Sequence, residues 1–89
     1  MAFEQTSLSA LSYANGFTLW HYRTSDAIDD VDTAGYFSRA GSMLRVGDFI
    51  LVNAGLGVVP SHGMLVVLSS SGGVVDVSNV TPVGTLNTD

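Results

Sequence analysis

The sequence predicts a mainly β fold: a small antiparallel barrel-like or sandwich-like domain with one short helix and an extended N-terminal arm. Three observations predict it. An aromatic and β-prone run, Phe17-Thr18-Leu19-Trp20-His21-Tyr22-Arg23, follows an Asn15-Gly16 turn signal. Two further runs, Phe49 to Asn53 and Met64 to Leu68, are apolar on both faces, as central strands are. Turn clusters separate the strands, Gly47-Asp48 before the second and Ser69-Ser70-Ser71-Gly72-Gly73 after the third.

Taken in order, residues 1–15 have irregular apolar spacing and neither Gly nor Pro, and read as an extended arm. Its Phe3, Leu8, Leu11 and Tyr13 are too apolar for a solvated tail, so the arm is expected to pack on the body or on a neighbouring copy. Residues 16–83 form the single β domain. The first strand has no plainly polar face, since Phe17, Leu19, His21 and Arg23 alternate with Thr18, Trp20 and Tyr22. An acidic loop follows. Asp32 then reads as the N-cap of a two-turn helix whose Tyr36, Phe37 and Ala40 share a face, with Gly41 as its left-handed end. Beyond the strand at Phe49, Ala54 to Gly63 is a glycine-rich connection that includes His62. The run Val74 to Val80 closes a meander with Val75 and Val77 on one face and Asp76 and Ser78 on the other. Residues 84–89 are a polar tail. A two-turn helix cannot cover central strands that are apolar on both sides, so either a barrel closes or other subunits cover the second face.

Composition narrows the function. Hydrophobic residues make up 46% of the 89 positions and charged ones 12%, more apolar material than a small monomer needs, which points to multimerisation. Eight acids face three arginines and no lysine, for a net charge of −5. That balance offers no basic stripe for nucleic acid and no attraction to an anionic membrane. No apolar run approaches the roughly 18 residues of a spanning helix, and the start of the chain lacks the basic and apolar regions of a secretory signal. The product is expected to begin in the cytoplasm. Without cysteine there are no disulfides, thiolate nucleophiles or Cys-ligated zinc.

Candidate chemistry is sparse. His21 and His62 accompany many serines, but no Gly-x-Ser-x-Gly elbow is present, and they read as a strand surface residue and a loop residue. Asp26, Asp29, Asp30 and Asp32 lack the spacing of a calcium loop and read as capping and solvated acids. Asp48 reads as the tie of the Gly47 turn, and Gly55-Leu56-Gly57 lacks the lysine and helix of a phosphate cradle. No catalytic residue, metal ligand or cofactor is predicted. Trp20 and Tyr22 serve either as interface anchors or as caps on the core. Arg23 and Arg39 are candidates for meeting acids of a neighbouring subunit. The candidate interface set is therefore Phe3, Leu8, Leu11, Tyr13, Trp20, Tyr22, Arg23 and Arg39.

The strings Gly16 to Thr24, Asp26-Ala27, Val31 to Phe37 and Leu44 to Ile50 together resemble small structural proteins of tailed bacteriophages and related prophage particles. In those, a tryptophan strand, an Asp-Ala loop, a Gly-Tyr-Phe helix and a Val-Gly-Asp turn recur in that order. The resemblance spans Gly16 to Val52. It implies a capsid decoration, or cement, protein on the outer surface of the virion, made in the host cytoplasm. Its implied partners are the major capsid protein and itself, as a homotrimer, with the arm reaching across a seam between capsomers. A head-fibre or tail-appendage module is the alternative, holding a host sugar or protein through Trp20, Tyr22 and the glycine-rich loops. Neither reading supplies a catalytic residue or involves nucleic acid or a membrane.

Overall fold

The computed structural model describes residues 3, 7–41 and 43–84. The protein is mainly β. Its strands are β1 (Leu8–Ala14), β2 (Phe17–Arg23), β3 (Phe49–Ala54), β4 (Ser61–Ser71), β5 (Val74–Val77) and β6 (Thr81–Pro82). They form one sheet in the order β1-β2-β3-β4-β5, and β6 pairs with the opposite end of β4 from β5. The sheet stays open with β1 and β5 as its edges, so the barrel-like form is replaced by an open sheet.

One pair departs from the antiparallel expectation. β2 and β3 run parallel, with Leu19 opposite Phe49 and Tyr22 opposite Val52. Parallel neighbours need a crossover, and residues 24–48 provide it by passing over one face of the sheet. The crossover holds a single-turn helix, α1 (Ile28–Val31), and a 3₁₀ turn at Ser38–Ala40. The expected helix from Asp32 to Gly41 does not form. Gly35 sits at φ 85°, which breaks a helical path, and its N–H donates to Val75 O on β5 instead of to a preceding turn. Asp32 lies at the C-terminal end of α1 and accepts from Val80 N, while Gly41 is right-handed at φ −61°.

Within the stretch expected as an arm, residues 8–14 form a strand of the domain. Leu8–Ala14 hairpins onto β2 through Asn15 and Gly16, both at positive φ, as a two-residue turn requires. Phe3 and Leu8 are buried in the core. The described part of the expected arm packs on the body as an edge strand whose register shifts between Ala10 and Ser12. Positions 1, 2 and 4–6 of the expected arm and 85–89 of the expected tail lie outside the described residues. His62, read as a loop residue, is on β4, because the connection ends at Pro60.

The core lies on one side of the sheet. Trp20, Tyr22, Ile50, Val52, Leu65, Val67, Val75 and Val77 alternate onto that face and are buried there. Val31, Phe37, Ala40 and Leu44 of the crossover cover them. A cluster of four rings fixes the crossover in place, with Phe37 at 5.4 Å from Phe3, 5.3 Å from Tyr22 and 5.1 Å from Tyr36 between centroids.

Candidate functional site

Two buried polar ties hold the crossover to the sheet. Asp48 is 1% exposed, and its carboxylate accepts from Thr18 N at 3.0 Å, Trp20 Nε1 at 3.1 Å and Arg45 N at 3.1 Å. It therefore clips β2 to the turn before β3, a wider role than closing the Gly47 turn. The second tie runs from Tyr22 through Tyr36 to Asp26: the two hydroxyls are 3.0 Å apart, and the Tyr36 O–H donates to Asp26 Oδ2 at 2.6 Å. Burial, reinforced by the bond to Asp26, pushes the Tyr36 phenol well above its ordinary pKa. Among the described residues no buried side-chain polar atom is left without a partner.

The raised Tyr36 value has a direction in pH. The unfolded chain releases this phenolic proton above about pH 10 while the folded chain keeps it, so the stability it supplies is full below that pH and declines as pH rises further. Urea midpoints followed from pH 8 to pH 11 should fall less steeply for Tyr36→Phe than for the parent. Equal slopes would show that Tyr36 is not the linked group.

The predicted interface residues divide in two. Phe3, Leu8, Trp20 and Tyr22 are buried within the chain, which takes them off any surface a partner would meet. Trp20 and Tyr22 lie in the core of the chain, the second of the two roles considered for them. Leu11, Tyr13, Arg23 and Arg39 are exposed, Leu11 and Tyr13 on the edge strand, Arg23 at the end of β2 and Arg39 on the 3₁₀ turn.

The structure brings forward a surface outside that set. The second face of the sheet carries Phe17, Leu19, Phe49, Leu51, Met64 and Val66, and no described element packs across it. Phe17 and Phe49 are each 39% exposed and meet edge to face with centroids 5.9 Å apart. One end of this apolar field is polar. Asn53 donates from Nδ2 to His21 Nε2 at 2.8 Å and accepts at Oδ1 from His62 Nδ1 at 2.5 Å, a bridge across β2, β3 and β4. Beside it a cleft of about 370 Å³ is lined by Ser9, His21, Arg23 and Ser25, with no carboxylate among its lining residues. The signal for this face was present in the doubly apolar alternation of β3 and β4.

The acids expected to cap or to be solvated are spread apart: Asp26 is buried against Tyr36, Asp32 holds Val80, and Asp29 and Asp30 lie in α1. Among the described residues no group of three His, Asp or Glu side chains converges as a metal site. No family model matches the chain, and no curated protein or solved structure matches it.

Proposed function

We propose that this chain is a virion structural protein of the capsid decoration type, working by contact with the major capsid protein and with other copies of itself rather than by catalysis. The observation that carries this reading is the apolar face of β2, β3 and β4, across which no described element packs. A domain of this size places such a patch on its surface where another protein is to cover it. The likeness of residues 16–52 to phage structural proteins supplies the particle. A decoration protein adds contact area across capsid seams, offsetting the outward pressure of packaged DNA, and a low-charge surface rich in Ser, Thr and Gly suits that role.

Burial of Trp20 and Tyr22 favours decoration over the fibre alternative, because a sugar-holding module would present those rings to solvent. Quantitative mass spectrometry of purified virions tests the proposal. A copy number equal to that of the major capsid protein, or a simple fraction of it, is expected. A few copies per particle would make it a fibre or vertex part, and absence from the particle would refute a virion role.

A further inference from the structure

We infer that the open face of the sheet is a self-association surface on which a second copy of this chain docks face to face, Arg23 of each copy meeting Asp76 of the other. This rests on the proposed role as an assembly protein and names the partner for the face that carries it.

Area is the first argument. Five strands at about 4.8 Å spacing and some 20 Å of strand length give a footprint of roughly 480 Å² per copy. Two copies together bury about 1,000 Å², the low end of the sizes at which protein pairs associate. The composition also fits. An aromatic, Leu and Met centre is bordered by His21, Asn53, His62 and Ser9, an apolar core with a polar rim.

Charge selects a second copy among possible occupants. The cleft of Ser9, His21, Arg23 and Ser25 presents hydroxyls, an imidazole and a guanidinium, and so is built to take a carboxylate. The same face supplies one at its far corner. Asp76 lies opposite Ser69, alternating with the buried Val75 and Val77, and therefore projects to the open side. Arg23 is level with Asn53 on β3, whereas Asp76 is beyond the opposite end of the row formed by Leu19, Phe49 and Val66. A two-fold axis in the plane of the face, perpendicular to the line from Arg23 to Asp76, brings each arginine to the partner's aspartate, making the contact twice. The strands of the two sheets then cross steeply, closer to the orthogonal than to the aligned way in which sheets pack. Such a self-complementary patch closes at two copies, whereas the trimer implied by the resemblance needs a head-to-tail contact.

Sedimentation velocity on the purified full chain tests the pair. The parent should sediment as a dimer at micromolar concentration. Arg23→Asp and Asp76→Arg, both changes at surface positions, should each raise the dissociation constant at least about tenfold, and the double exchange should restore it to within about threefold. Leu51→Glu, with its fold checked by circular dichroism, should sediment as a monomer. A parent that is monomeric at 100 µM, or a double exchange no better than the single changes, would overturn the pair. Virion copy number is measured separately, so failure of the dimer and failure of the decoration role are distinguishable.

Discussion

Replacing Asp48 with alanine is expected to remove about 3–5 kcal/mol of stability, the largest effect of any polar substitution in this chain. The carboxylate is buried and takes three N–H groups, two backbone and one indole. Alanine leaves those donors facing a void that offers no acceptor, and a buried donor without a partner costs more than its hydrogen bond contributes. A domain of this length has only about 5–13 kcal/mol in total, so the variant sits close to unfolding. Asn at the same position should fall between the two. Its oxygen can serve Trp20 and Arg45 in place of Oδ2, but its amide then points at the donating N–H of Thr18. Urea unfolding followed by tryptophan fluorescence checks this directly, because Trp20 is the only tryptophan and its indole is one of the three donors. A loss below about 1 kcal/mol would mean that the crossover is not held by this clip.

Phe37→Ala should cost a similar amount, about 3–5 kcal/mol, for a different reason. The ring is 1% exposed and touches Phe3, Tyr22 and Tyr36, so truncation opens a cavity at the centre of the ring cluster. Phe3 and Tyr36 lose their shared neighbour. Val58→Ala, at an exposed loop position, should stay within about 0.5 kcal/mol of the parent. Thermal or urea midpoints of the two variants give the comparison, and a Phe37 variant as stable as the Val58 variant would contradict the packing described.

These two residues also explain how the chain could be read before its structure was known. The turns at Asn15-Gly16 and Ser71-Gly72-Gly73, the doubly apolar β3 and β4, and the edge pattern of β5 are local signals, visible in alternation and turn chemistry. The partner of β2 is not local. Its parallel pairing with β3 depends on where the 24–48 crossover returns, and no residue spacing encodes that. Gly35 shows the same limit at short range, since the Tyr36, Phe37, Ala40 face has helical spacing while a left-handed glycine diverts the backbone beneath it. The choice of buried face on β2 was open for a physical reason: Phe17 and Leu19 compete with Trp20 and Tyr22, and the crossover decides by covering the latter pair. Trp20, Asp26, Tyr36, Phe37 and Asp48 are the ties and core of the fold. The residues of the open face, Phe17 and Phe49 apart, are ordinary aliphatic strand residues and announce themselves only by having no described strand or helix across them.

If a second copy covers that face, a single cysteine placed there reports it. The chain contains no cysteine, so Leu51→Cys introduces a unique thiol at the middle of the face, and Thr33→Cys a control among the loops on the other side. Treated with a short bismaleimide linker at micromolar concentration, the Leu51 variant should run as a covalent dimer and the Thr33 variant as a monomer. A Leu51 variant that stays monomeric, or a Thr33 variant that cross-links as well, would contradict the face-to-face assembly.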